Sequence, residues 1–311
     1  MTIETFQQPL AHGITLSCRA AGARGRPVLM FLHGFPEAAF VWDFLLEYFA
    51  LPENGGYRCV APNLRGFELS SAPTEVSAYR PKHLVQDIAA LIALETPCHG
   101  GQLDCLVAHD WGGAVAWNLA NQLPHLMRRL VIINSPHPGT FLRELRSNPT
   151  QQAASAYMNF LIRPDAEELL AQDDHRRLWE FLTHGKVGAD RPEWLSEEVK
   201  AQYQAVWRAG LSGGCNLYRA SPLRPPRAED RAAAAIDLPL GMLSMSLPTL
   251  VIWGMKDVAL LPALIEGLDQ YVEHLTLQTV ADASHWIVHE QPQRIAHFIK
   301  TFMGSKALQK E

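Results

Sequence analysis

Short apolar runs that alternate with helix-periodic stretches constrain this chain more than any other feature. PVLMFLHG (27–34), RCVAPNL (58–64), LDCLVAHD (103–110) and RLVIINS (129–135) are each bounded by turn residues. Between them, WDFLLEYFA, HLVQDIAALIALE and GGAVAWNLANQL carry apolar residues at helical spacing. That alternation predicts an α/β fold, a mostly parallel sheet covered by helices. The opening ITLSCRAA and its neighbours are expected to add an antiparallel edge. After about residue 140 the pattern breaks. DAEELLAQ, DHRRLWEFLTHG and SEEVKAQYQAVWRAG are helical and polar, with no strand-like run among them, and SPLRPPRAEDRAA (221–233) reads as a linker. Strands resume at PTLVIWG (248–254) and HLTLQTV (274–280), and PQRIAHFIKTFM closes as a helix. The expectation is therefore a core over 1–140 and 235–311 interrupted by a helical cap over 141–234.

VAHDWGGAV (107–115) marks a turn from strand to helix. A sharp turn there forces its central side chain outward, and small neighbours two residues away relieve the crowding. Ala108 and Gly112 meet that need, and the residue presented is Asp110. An aspartate that merely caps a helix would read the same way. Two further residues decide between these readings. Asp257 in VIWGMKDVAL and His285 in VADASHWIVHEQP each follow a predicted strand, in the order nucleophile, acid, base. In FLHGFPE a strand ends at His33-Gly34. The Phe35 N–H then pairs with the N–H of Trp111, the residue after the nucleophile, as an oxyanion hole. Phe35, Pro36 and Trp111 are also expected to contact substrate, whereas His33 and His109 read as structural. GLSGG (210–214) matches a serine-nucleophile pattern literally, but it follows a helical stretch, so Gly210 reads as a helix end and Ser212 is set aside.

A carboxylate that attacks an ester carbonyl forms an anhydride. A carboxylate that attacks a saturated carbon forms an ordinary ester, which His285, oriented by Asp257, hydrolyses by activating water. Asp110 thus points to alkyl electrophiles, either epoxides or alkyl halides. A halide leaves as a stable anion and needs only weak N–H donors. An epoxide oxygen needs a proton, and a phenol with an ordinary pKa of about 10 supplies one. The insertion offers Tyr157 and Tyr218. Read singly, either is a packing aromatic.

With 48% apolar residues, 311 residues suffice for a sizeable core; net charge is −5, and no basic stripe suggests nucleic acid. The first residues carry neither a basic nor an apolar leader segment, and no apolar run has the length of a membrane span. The five cysteines (18, 59, 98, 105, 215) suggest neither a disulfide frame nor a metal site. A cytoplasmic enzyme without metal or cofactor is expected.

HGFPE, APNLRGFELSSAP, HDWGG, the cap pattern Y-x-x-F-x-x-x-P-x-A-E and NLYRA together resemble the α/β-hydrolase-fold epoxide hydrolases, soluble and bacterial type, nearly end to end. The resemblance implies Asp110 as nucleophile, Asp257 as acid and His285 as base. It also implies that Tyr157 and Tyr218 hold and protonate the epoxide oxygen of a small-molecule substrate. Asn63 stands where that family has Asp, and Glu68 where it has Gly, both in a loop expected to lie away from the triad. Haloalkane dehalogenases share the triad and need a second halide donor. Phe35 removes one position for it, while Trp179, Trp194 and Trp207 keep the other open. Fluoroacetate dehalogenases carry arginines where this chain has Trp111 and Ala114. A hydrolase-fold ligand receptor is the non-enzymatic alternative, against which the intact Asp110, Asp257, His285 set argues.

Overall fold

The computed structural model describes residues 2–183, 192–227 and 235–304. One sheet contains β1 (Glu4–Pro9), β2 (Thr15–Ala21), β3 (Val28–Leu32), β4 (Arg58–Pro62), β5 (Cys105–His109), β6 (Leu130–Ile133), β7 (Thr249–Gly254) and β8 (Leu275–Val280). Their spatial order is β1-β2-β4-β3-β5-β6-β7-β8. β1 pairs with β2 and β2 with β4 antiparallel, and every later pairing is parallel. Every residue of β3 to β7 is buried. Strands covered on both faces have no polar side to display, which is why they read as unbroken apolar runs. The edge strands β1 and β8 are part-exposed and more polar.

The helices α1 (Asp43–Ala50), α2 (Pro81–Glu95) and α3 (Asp110–Gln122) follow β3, β4 and β5, and Pro292–Gly304 closes the core. α2 buries Leu84, Val85, Ile88, Leu91 and Ile92, a single stripe at helical spacing. Between β6 and β7 lies the inserted helical region: α4 (Pro138–Ser147), α5 (Pro149–Ala154), α6 (Tyr157–Leu161), α7 (Ala166–Thr183), α8 (Glu197–Ala209) and α9 (Ser212–Ala220). α7 is broken where Gln172 turns extended and Asp173, Asp174 and His175 turn left-handed. The predicted linker is described as far as Arg227; the rest of it, and the predicted cap boundary at 234, lie outside the described residues. No helix among the described residues is long and apolar enough to cross a membrane.

Register positions the site. Leu32 lies beside Ala108, His109 beside Ile133, and Ile133 beside Ile252. The carboxyl ends of β3, β5, β6 and β7 are therefore level, and the residues just beyond them share one crevice.

The loop after β4 lies closer to that crevice than its sequence suggests. Leu64 N–H donates to His33 Nε2 at 3.0 Å, and Asn63 Oδ1 accepts from Ala39 N–H at 2.7 Å, so the loop supports the segment that carries Phe35. The buried Asn63 amide donates to the Glu68 carboxylate, and Glu68 sits at φ +49°. The two departures from the family pattern are thus coupled, because an aspartate at 63 would face Glu68 with like charge. We expect Asn63→Asp to destabilise the fold by about 1–3 kcal/mol. Adding Glu68→Gly, which removes the charge and suits the left-handed backbone, is expected to recover most of that loss. A double-mutant cycle from denaturant unfolding checks this, and additive effects would rule the coupling out.

Candidate active site

β5 ends at His109 and α3 begins at Asp110 with no intervening loop. Asp110 is held at φ +48°, a conformation that costs a non-glycine residue on the order of 1–3 kcal/mol. Close packing holds it there. A Cβ on Gly112 would meet the Leu32 carbonyl oxygen at 2.3 Å, and one on Gly34 would meet Asp110 Oδ1 at 2.5 Å. Ser135, just past β6, donates its hydroxyl to the Asp110 carbonyl at 2.7 Å. The carboxylate also stands at the N-terminus of α3, where free first-turn N–H groups favour negative charge.

Asp110 Oδ1 accepts the Phe35 N–H at 2.8 Å, while Oδ2 lies 3.7 Å from His285 Nε2. His285 Nδ1 is 2.7 Å from Asp257 Oδ2. Asp257 is saturated with donors. Its Oδ1 accepts the N–H groups of Ala259 and Leu260 at 2.9 and 2.8 Å, and its Oδ2 also accepts Asn134 Nδ2 at 2.8 Å. Burial raises the Asp257 carboxyl, but His285 and these donors outweigh it and hold it below the usual carboxylate range. Burial alone would lower the His285 imidazole; the Asp257 and Asp110 charges outweigh it and lift the group to about 9.

A cavity of about 210 Å³ opens at Asp110, and Asp110, Trp111, Tyr157 and Tyr218 are among its walls, whereas His285 and Asp257 are not. Tyr157 opens α6 and Tyr218 lies within α9, so both phenols come from the insertion. Their rings meet edge-on with centroids 6.0 Å apart, and Tyr218 meets Trp111 edge-on at 4.9 Å. Burial and the nearby Asp110 charge push both phenols above their ordinary value, so each keeps its proton at neutral pH. The bidentate pair of Arg219 with Glu167, at 2.5 and 2.7 Å, ties α9 to the start of α7.

Other predicted residues are placed differently. Phe35 and Pro36 are not among the cavity walls. The Phe35 ring is buried against Tyr218 and Gly214, which leaves its N–H as its contact with Asp110. The Pro36 carbonyl accepts Trp207 Nε1 at 2.8 Å, and the Phe35–Pro36 peptide is cis. Trp179 packs on Trp207 and Trp194 stacks on His289, and none of these three tryptophans lines the cavity. Ser212 is exposed, opens α9 rather than following a strand, and is likewise absent from the walls.

His33 and His109 are structural, as expected. His33 bonds Gly34 O and Leu64 N–H, and burial lowers it to about 4. His109 reaches further than a plain strand end. Its Nδ1 is 2.9 Å from Glu37 Oε2, and its Nε2 is 3.0 Å from the main-chain oxygen of His285. Glu37 is fully buried; burial raises its carboxyl, but His109 and His289 hold it well below the usual range. Tyr203 OH lies between Glu37 Oε1, at 3.2 Å, and His289 Nε2, at 2.8 Å. Glu37, Asn134, Ser135, Tyr203 and His289 were not predicted as site residues. Glu37 lay in plain view within HGFPE, but nothing in the sequence marks it as a buried partner of His109.

A family model described as alpha/beta hydrolase fold matches residues 27–292. The AB hydrolase superfamily protein YfhM of Bacillus subtilis is 32% identical over 95% of this chain and 96% of its own length. Epoxide hydrolase 3 of Xenopus tropicalis is 32% identical over 94% of this chain and 75% of its own. The crystal structure of a Bacillus megaterium epoxide hydrolase in complex with an inhibitor superposes with a TM-score of 0.82 at 28% identity, over 96% of this chain and 100% of that one. Fold, site geometry and these likenesses agree: the chain belongs to the α/β-hydrolase fold family and, within it, to the epoxide hydrolases.

Proposed function

We propose that this protein hydrolyses an epoxide to a vicinal diol through an ester on Asp110. The observation that carries the reading is one apolar cavity walled by a carboxylate and two protonated phenols, Asp110 with Tyr157 and Tyr218. Asp110 Oδ1 is engaged by the Phe35 N–H, so Oδ2 is the attacking oxygen. It bonds to a ring carbon as the C–O bond of the epoxide breaks, and a phenol delivers its proton to the departing oxygen. The product of this step is a hydroxyalkyl ester.

Esterification removes the Asp110 charge, one of those that hold the His285 pKa up, and so brings His285 toward the neutral form a base requires. His285 Nε2 then takes a proton from water, which attacks Asp110 Cγ. Negative charge develops on Oδ1, where the Phe35 N–H already points, and the N–H of Trp111, the residue after the nucleophile, is the proposed second donor. Collapse of this intermediate expels the diol, with the imidazolium proton neutralising the leaving oxygen and the proton left on the Asp110 carboxyl returning to the phenolate, and Asp257 steadies that imidazolium throughout. The dehalogenase alternative draws no support from the insertion, because its tryptophans lie outside the cavity walls.

Isotope labelling tests the nucleophile. In a single turnover by excess enzyme in ¹⁸O-water, the first diol is expected to be unlabelled, with the label in the peptide that contains Asp110. Labelled diol in that turnover would mean that water attacks the epoxide directly.

A further inference from the structure

The floor of the cavity is one face of the nucleophile's own helix. Trp111, Ala114, Val115 and Asn118 recur on α3 at intervals of three and four residues, and all four line the cavity. At 1.5 Å per residue, the eight steps from Asp110 to Asn118 carry this floor roughly 12 Å from the nucleophile. The carboxylate of Asp110 is the only charge among the wall side chains of the described residues.

The neutral polar groups of the walls are largely committed. Tyr79 donates to the Pro73 carbonyl at 2.9 Å, Ser135 donates to the Asp110 carbonyl, and the Ser221 hydroxyl accepts the Leu223 N–H at 3.2 Å. Asn118 differs. Its Nδ2 donates to the Ala114 carbonyl at 2.8 Å, one turn back on the helix. That bond fixes which end of the amide is which. Oδ1 is left as an amide acceptor with no hydrogen-bond partner among the described residues, at the far end of an otherwise apolar floor.

Resting on the epoxide reading above, we infer that Asn118 is a specificity-determining residue for epoxides that carry a long apolar arm ending in a neutral hydrogen-bond donor, such as a hydroxyl. The arm lies along Ala114 and Val115, and its terminal O–H donates to Asn118 Oδ1. Among the described wall residues an anionic end group finds no cation and meets an acceptor oxygen instead, so carboxylate-ended arms are disfavoured.

The test compares an ω-hydroxy-1,2-epoxyalkane of about ten carbons, long enough for the roughly 12 Å of floor, with its ω-methoxy counterpart, which cannot donate. The readout is the ratio of their kcat/KM values within each enzyme, so a general loss of activity cancels. The wild type is expected to favour the hydroxy substrate by about two- to tenfold, the range for one neutral hydrogen bond. Asn118→Leu is expected to bring the ratio to one, with the change falling on KM. Asn118→Asp, which keeps an acceptor, retains the preference. A ratio near one in the wild type, or a preference that survives Asn118→Leu, overturns the role of Asn118 and leaves the epoxide reading standing. Failure of the wild type to open any epoxide overturns both.

Discussion

His285→Gln enzyme is expected to open one epoxide per active site and then stall. Alkylation needs the Asp110 carboxylate and a phenolic proton, and neither comes from His285. Hydrolysis of the ester needs a base 3.7 Å from the Asp110 oxygen, oriented by Asp257, and glutamine supplies none. Steady turnover should fall by about 10²–10⁴-fold, the usual worth of a positioned acid or base. Intact mass spectrometry should show the protein heavier by one substrate, and digestion should place the adduct on Asp110. A fully active His285→Gln enzyme, or an adduct on another residue such as Ser212, would overturn the assignment of base and nucleophile together.

In the proposed mechanism the tyrosines govern the other half-reaction. Replacing Tyr157 and Tyr218 together with Phe should reduce epoxide opening by about 10²–10⁴-fold. Each single replacement should leave partial activity, because one phenol still donates. The loss should appear as slow formation of the ester in a pre-steady-state burst, not as slow breakdown. That pattern is opposite to the one for His285→Gln, so the two variants together separate the steps. Alkylation of the double variant at the wild-type rate would reduce the phenols to packing and remove the main support for the epoxide reading.

The parts of this protein that were legible in its sequence are those with a local cause. Strands β3 to β7 are buried on both faces, so their apolar runs stand out against the helices between them. The residues of the proposed triad, Asp110, Asp257 and His285, each follow a strand, and β5 to β8 lie side by side in the sheet. What stayed hidden depends on contacts between distant segments. Asn134 reads as the tail of a strand in RLVIINS. The strand stops at Ile133 because Asn134 turns left-handed, at φ +39°, to bond both Asp257 and the Gly254 N–H. Phe35 and Pro36 sit next to the nucleophile in any sequence reading, yet only backbone direction decides that an N–H reaches the site while the ring turns to Gly214. Trp179, Trp194 and Trp207 carry the same lesson, since a helical pattern says which residues share a face but not what that face meets.

The insertion between β6 and β7 has a bearing on how the chain matures. Asp110 stands before it, Asp257 and His285 after it, and the two phenols within it. β6 and β7 nonetheless pair directly, so that contact closes a loop holding the whole helical region, and loop closure of this kind is slow. During synthesis Asp110, the proposed nucleophile, emerges long before His285, its proposed base. A chain halted inside the insertion has an aspartate at the end of β5 and no means of hydrolysing an ester formed there. In refolding, formation of an adduct on Asp110 in the His285→Gln variant would therefore report that the phenols have reached the cavity, while diol release by the unsubstituted protein would report that β7 and the His285 loop are also in place.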